Sequence, residues 1–208
     1  IEDLANATEE DVFKLWEGLG YYSRAKNLHL TAKLISAKYN GVFPNKYEEI
    51  ILLKGIGKYT AAAICSIAYG KKHAVVDGNV IRVISRYKGI KDPVNTALIK
   101  NKIEQYALEL MSNNIPGIFN ESIMELGALI CKPKRPLCKI CVLKDGCYAL
   151  DNNMVSQLPV KRKKKKVRTR VFYYNVIFST KGILINKREE KDIWRGLYEF
   201  PLIESGSK

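Results

Sequence analysis

Three things are scarce in this chain of 208 residues, and each scarcity excludes a class of protein. Long apolar runs are missing. Nothing approaches the roughly 18 residues a membrane span needs, so no membrane contact is expected. Cysteine is scarce outside one segment: four of the five lie between Cys131 and Cys147, whereas a secreted disulfide scaffold spreads its cysteines through the chain. Acidic residues are outnumbered 21 to 35 by lysine and arginine, giving a formal net charge of +14. The opening Ile1-Glu2-Asp3-Leu4 has neither an initiator Met nor the basic-then-apolar order of a secretory signal. We therefore expect the true start to lie upstream of Ile1, and the protein to work in the cytoplasm, associated with the nucleoid in a bacterium. No internal repeat is evident. With 47% hydrophobic and 27% charged residues, the composition is that of a folded protein.

Much of the charge is local. Residues 161–170 carry eight basic side chains and no acidic one. Such a run is either a solvated linker or a contact for a polyanion through phosphate neutralisation. Before it, residues 1–150 read as mostly α. Thr8 followed by Asp11 resembles a capping box, and Val12, Leu15, Trp16 and Leu19 recur at helical spacing until Gly18 and Gly20. A helix over 23–39 has Ala25, Leu28, Ala32, Leu34 and Ile35 as its expected inner side. Further helices are expected near 46–53, 59–69, 80–87, 95–112 and 117–130, a compact helical array. Residues 151–170 read as a basic linker. The aromatic and β-branched stretch 171–178 reads as a strand, and 183–185 as a second across a Lys181-Gly182 turn. Residues 171–208 are thus the beginning of an α+β domain.

The four clustered cysteines, Cys131, Cys138, Cys141 and Cys147, are spaced C-x6-C-x2-C-x5-C. Four thiolates on a tight loop suit structural zinc or a [4Fe-4S] cluster, since both favour sulfur; spacing alone leaves both open. The loop between the first two holds Lys132, Lys134 and Arg135, stiffened by Pro133 and Pro136. These cations either meet a DNA backbone or balance an anionic centre. Cys65 stands apart in an apolar helical stretch, as a small buried hydrophobe.

Leu53-Lys54-Gly55-Ile56-Gly57-Lys58-Tyr59-Thr60-Ala61 fits helix, tight turn, helix. Gly55 and Gly57 permit a left-handed backbone and close approach of a ligand. The N–H groups opening the second helix then favour an anion, with Lys58 adding charge. A plain interhelical turn accounts for the same residues. About twenty residues on, Val76-Asp77-Gly78-Asn79-Val80 places a carboxylate before a helix, where it is either a natural N-cap or part of a functional motif with the hairpin.

Taken together, these motifs resemble the helix–hairpin–helix DNA glycosylases with a cluster loop, and most closely the adenine DNA glycosylase (MutY) family. Leu15-Trp16-Glu17-Gly18-Leu19-Gly20-Tyr21-Tyr22-Ser23-Arg24 and Phe119-Asn120-Glu121-Ser122-Ile123-Met124-Glu125-Leu126-Gly127 look like that family too. The resemblance covers essentially all of 1–150. It implies a [4Fe-4S] cluster on the four cysteines, in a loop over 131–147. It also implies a monomer bound to double-stranded DNA containing adenine opposite 8-oxoguanine or guanine. Trp194-Arg195-Gly196-Leu197-Tyr198-Glu199-Phe200-Pro201 resembles the early part of that family's Nudix-like domain, which helps recognise the oxidised guanine; no Nudix hydrolase box is present.

By the same resemblance, Asp77 stabilises the cationic sugar left as adenine departs. Asn79 positions groups beside it, Tyr59 hydrogen-bonds nearby, and Glu121 supports the site. Gly55, Gly57, Lys58, Leu19, Tyr21 and Arg24 are placed among the DNA contacts. Leu19 and Tyr21 resemble a wedge beside the oxidised guanine, and their other reading is core packing. The family's general acid is a Glu in a stretch upstream of Ile1; Glu2, Glu9, Glu10 and Glu17 have no matching context. Related bifunctional enzymes carry a Lys where Tyr59 stands, so a monofunctional hydrolase is expected. The competing readings are an endonuclease III-like lyase, a non-catalytic DNA-binding fragment, and a zinc-ribbon binder.

Overall fold

The computed structural model describes residues 1–111, 115–161 and 169–206. Residues 162–168 of the basic run lie outside these, and so do both readings of that run. The chain forms two compact units, Ile1–Arg162 and Lys163–Lys208. Among the described residues, no helix is long and apolar enough to cross a membrane.

The first unit is helical. Its elements are α1 (Glu2–Asn6), α2 (Glu9–Leu15), α3 (Ser23–Tyr39), α4 (Tyr47–Ile50), α5 (Lys58–Ala63), α6 (Gly78–Lys88), α7 (Ala97–Leu110), α8 (Pro116–Glu125) and α9 (Tyr148–Asp151). Thr8 caps α2 as expected: its hydroxyl accepts from the Asp11 N–H at 3.1 Å and donates to the Asp11 carboxylate at 2.6 Å. Helix α1 has no counterpart in the sequence reading; at five residues it is too short to show a period. Helices α5 and α8 each widen into a π turn, at Ile64–Ala68 and Leu126–Ile130.

Two expected helix faces need correction. Of the α2 stripe only Val12 is buried, and Leu15 and Leu19 are 88% and 61% exposed. Helix α2 stops at Leu15, and Gly18 and Gly20 turn the chain with φ of 81° and 63°, so Leu19 sits on a loop rather than on a further helical turn. On α3 the buried line is Ala25, His29, Ala32 and Ile35, joined by Thr31, while Leu28 and Leu34 flank it outside.

The main core gathers around α6. Val80, Val83 and Ile84 pack with Ile90, Val94, Ile99, Ile103, Ala107, Met111 and Ile123. Cys65 is fully buried beside Ile50 and Ala61, as its setting suggested; burial raises its thiol pKa. Residues 152–161, read from the sequence as the head of a linker, pack on this unit. Leu158 is buried, its carbonyl accepts from Arg86 Nε at 3.0 Å, and the Val160 carbonyl accepts from the Val94 N–H at 3.0 Å.

The second unit holds β1 (Arg170–Tyr174), β2 (Phe178–Ser179), β3 (Gly182–Ile183), β4 (Asn186–Lys187), β5 (Tyr198–Glu199) and β6 (Leu202–Gly206), paired antiparallel as β1–β6, β2–β3 and β4–β5. The strand expected over 171–178 is split between β1 and β2. After Tyr174 opposite Leu202, the Asn175 N–H donates to the Pro201 carbonyl, and Pro201 has no N–H to return. The ladder ends there. The Lys181-Gly182 turn joins β2 to β3 as expected. Arg170 bridges Asp192 and Glu204, at 2.6 and 2.7 Å, and holds the Asp192 carboxyl well below the usual range. Arg188 pairs with Glu199 and Asp192. Several large apolar side chains stay exposed, Phe178, Trp194 and Tyr198 among them.

Candidate active site and cysteine centre

Asp77 ends an extended approach and caps α6. One carboxylate oxygen accepts from the Asn79 and Val80 N–H groups at 2.8 and 2.7 Å, and the other accepts from the Asn79 side-chain amide at 2.9 Å. The N-cap reading therefore holds without excluding a catalytic one. Three N–H donors lock a half-buried carboxylate in one orientation.

Asn79 is itself fixed. Its amide oxygen accepts from Arg82 Nη2 at 2.8 Å; the same guanidinium reaches the Gly127 and Cys131 carbonyls, each at 2.6 Å. Arg82 is only 8% exposed. Burial lowers its pKa, while Cys131 and Asp77 raise it. Gly127 is required where the π turn meets α6: a Cβ there would lie 2.7 Å from Asn79 Cβ and 3.1 Å from Asn79 backbone. A continuous set of bonds thus runs from Asp77 through Asn79 and Arg82 to the backbone of the first cysteine.

The approach to Asp77 hangs on Asn120 of α8, which is fully buried. It accepts from the Val75 N–H at 3.0 Å and donates to Ser66 Oγ and the His73 carbonyl, both at 2.9 Å. Asn120→Leu strands two backbone groups, the Val75 N–H and the His73 carbonyl, and leaves Ser66 Oγ only its bond to the Ala63 carbonyl. At about 1–3 kcal/mol for each buried group left unpaired, it is expected to destabilise the first unit by roughly 3 kcal/mol. Urea unfolding monitored at a helical signal checks this; an unchanged midpoint contradicts the role.

Tyr59 opens α5 beside α8: its hydroxyl lies 3.8 Å from Met124 Sδ, and this is the hydrogen bond it makes, rather than one to Asp77. Glu121 is exposed three residues before Met124, hence on the same face of α8. The preceding hairpin is pinned to α3. Thr31 Oγ1 donates to the Lys54 carbonyl at 3.0 Å, and Gly55, with φ of 79°, sits where a Cβ would meet Asn27 Cβ at 2.8 Å. Gly57 is extended, not left-handed, and faces open space, with Lys58 exposed beside it.

Leu19 and Tyr21 lie on an exposed loop, with Arg24 beside it in the first turn of α3. Trp16 Nε1 donates to the Gly20 carbonyl at 2.9 Å, and Tyr21 is 81% exposed. Core packing is excluded for Leu19 and Tyr21. Of the amino-terminal glutamates, Glu2 accepts from Ser36 at 2.7 Å and Glu9 pairs with Lys26 at 3.1 Å.

The four cysteines line one pocket with Arg86, Ile130, Pro136, Lys144, Leu150 and Val155. Arg86, 3% exposed, donates to Cys131 Sγ at 3.3 Å and to the Lys132 and Pro133 carbonyls at 2.8 and 3.3 Å. Burial and the neighbouring Cys131, Cys147 and Cys141 push the Cys138 thiol up, an arrangement of crowded sulfurs that a cationic centre would relieve. Among the described residues, no three His, Cys, Asp or Glu side chains converge on a single-ion position. Lys134 and Arg135 point the loop's charge to solvent.

Sequence reasoning missed Arg82, Arg86, Asn120 and Gly127 as parts of this site. The first two carried a signal: arginines four apart among core positions of one helix must find buried acceptors.

Residues 1–108 match the HhH-GPD superfamily of base excision DNA repair proteins. The chain belongs to that superfamily. Among HhH-GPD relatives it is 38% identical, over 97% of its length, to the adenine DNA glycosylase of Buchnera aphidicola subsp. Baizongia pistaciae, of which it spans 57%. It is 43% identical over 72% of its length to the human adenine DNA glycosylase, of which it spans 28%. It therefore covers little more than half, or less, of the curated relatives it matches. A thermostable thymine-DNA glycosylase structure superposes with a TM-score of 0.66 at 32% identity, over 73% of this chain and 70% of that one. An endonuclease III–DNA complex gives 0.61 at 24%, covering 74% and 70%, a likeness of fold alone.

Proposed function

We propose that the protein is an adenine DNA glycosylase, hydrolysing the N-glycosidic bond of adenine mispaired with 8-oxoguanine, or with guanine, in duplex DNA. The observation that carries this reading is the Asp77 carboxylate, locked by three donors at the start of α6 in a chain that matches enzymes of that name. Adenine must be flipped from the stack before its bond can be reached. Its departure leaves a cationic sugar, and a fixed carboxylate stabilises that charge without reorganising at the moment of reaction. Asn79, held by Arg82, keeps the carboxylate from rotating. Leaving adenine also needs a proton. We assign that role to none of Glu2, Glu9, Glu10 and Glu17, and keep Glu121 as a supporting group.

Tyr59 favours hydrolysis over lyase chemistry, because a phenol forms no Schiff base. Lys58 is one residue earlier, about 100° round the helix. Gly55, Gly57 and Lys58 grip phosphate, and Leu19 and Tyr21 enter the duplex beside the base opposite adenine. The protein acts as a monomer, and its second unit is Nudix-like and helps read the oxidised guanine.

Cys131, Cys138, Cys141 and Cys147 would hold a [4Fe-4S] cluster. Four thiolates lining one pocket suit zinc and a cluster alike; the resemblance to cluster-bearing glycosylases favours the cluster. Such a group would cross-link the loop, and Lys134 and Arg135 on it would face DNA. Iron and sulfide analysis of the full-length protein is expected to give about four of each; stoichiometric zinc without iron contradicts the assignment. Adenine release from duplexes pairing it with 8-oxoguanine, guanine or thymine tests the activity. Release from the first two is expected, and binding without release supports the non-catalytic reading.

A further inference from the structure

The loop between α2 and α3 presents an aromatic side chain in a backbone shape that it would not hold unaided. Tyr21 is 81% exposed, and its φ of 50° lies in the left-handed region that non-glycine residues avoid. Contacts within the loop hold it there. One is the Trp16 bond to the Gly20 carbonyl at 2.9 Å. Another is the Leu19 N–H bond to the Trp16 carbonyl at 3.1 Å, and three more involve Arg24. Its backbone N–H donates to the Tyr21 carbonyl at 2.8 Å, and its Nη2 donates to the Leu19 carbonyl at 3.3 Å. Its guanidinium lies 5.4 Å from the ring centroids of both Trp16 and Tyr21. Arg24 is rooted in the first turn of the 17-residue helix α3, a rigid base for a loop tip.

We propose that Arg24 is a positioning residue for Tyr21: it braces the Leu19–Tyr21 tip in the shape that enters the duplex, and does not itself contact a phosphate. The inference rests on the reading of Leu19 and Tyr21 as DNA-entering side chains. A tip already held in its bound shape loses less freedom on binding, and that difference counts where a specific mispair must be told from ordinary DNA. The brace needs a flat cation with a donor at its edge. Guanidinium stacks on rings and keeps an N–H free for a carbonyl; the compact ammonium of lysine cannot do both from one position. Charge alone is therefore not enough, which separates a brace from a phosphate contact.

The test uses the full-length protein with Arg24→Lys, Arg24→Gln and Tyr21→Ala. Two quantities are measured: the ratio of affinities for duplexes with adenine opposite 8-oxoguanine and opposite thymine, and the salt dependence of binding to the latter. A brace predicts that all three variants lose discrimination on the order of tenfold, lysine included, while the salt slope stays that of wild type. Full discrimination in Arg24→Lys, with a slope reduced by about 0.9 in Arg24→Gln, is the signature of a phosphate contact and overturns the proposal. If Tyr21→Ala keeps full discrimination, the reading of the tip as a wedge is what fails, and the bracing role falls with it. If Tyr21→Ala loses discrimination and Arg24→Lys does not, the wedge stands and the brace alone is refuted.

Discussion

Asp77→Asn is expected to slow adenine release by about 10³-fold while leaving stability and duplex affinity near wild type. The substitution separates two roles the carboxylate holds at once. Asparagine caps a helix about as well as aspartate, so the bonds to the Asn79 and Val80 N–H groups can survive on its one oxygen. What disappears is the negative charge. Losing a preorganised group that stabilises transition-state charge costs about 10²–10³ in rate, and a full carboxylate facing a cationic sugar belongs at the upper end. Single-turnover release at saturating enzyme, with thermal unfolding of the same variant, makes the comparison. A wild-type rate would reduce Asp77 to a helix cap. A large loss of stability would mean that the Asn79 amide contact, not the charge, dominates.

Arg82→Met is expected to destabilise the first unit by about 3–6 kcal/mol and to weaken retention of iron. Methionine fills similar space but leaves the Cys131 and Gly127 carbonyls and the Asn79 amide oxygen without their donor. Each such buried group costs about 1–3 kcal/mol. Arg82→Lys keeps the charge, yet one ammonium cannot span three acceptors set around a planar fork, so rescue should be partial at best. Chemical unfolding and iron content after dialysis report the two effects. If Arg82→Met unfolds at the wild-type denaturant concentration, the bonds linking Asp77 to the cysteine loop have no energetic weight.

The parts of the molecule legible in the sequence are those where one residue type performs one local task. Thr8 and Asp77 cap helices, Gly55 turns a hairpin, and the four closely spaced cysteines line one pocket. Burial was harder to read. Leu15, Leu19, Leu28 and Leu34 obey helical spacing, yet all are exposed, because periodicity fixes a face without saying what covers it. The π turns at Ile64–Ala68 and Leu126–Ile130 leave no mark in residue type, although one brings Gly127 against Asn79. Asn120 looks like a surface residue by type, and the spacing of Arg82 and Arg86 on α6 hints only at burial; which distant backbone groups require them is seen in the packed structure. Residues 152–161 read as linker from composition, and two long-range hydrogen bonds make them part of the first unit.

Asp77, with a tyrosine and not a lysine at position 59, is expected to serve simple hydrolysis. The most direct measurement follows an end-labelled duplex with adenine opposite 8-oxoguanine through one turnover by the full-length protein, with and without borohydride. Free adenine, a strand that breaks only after hot alkali, and no protein–DNA adduct are expected. Strand cleavage without alkali, or an adduct fixed by borohydride, would place an amine at the reacting carbon and contradict simple hydrolysis.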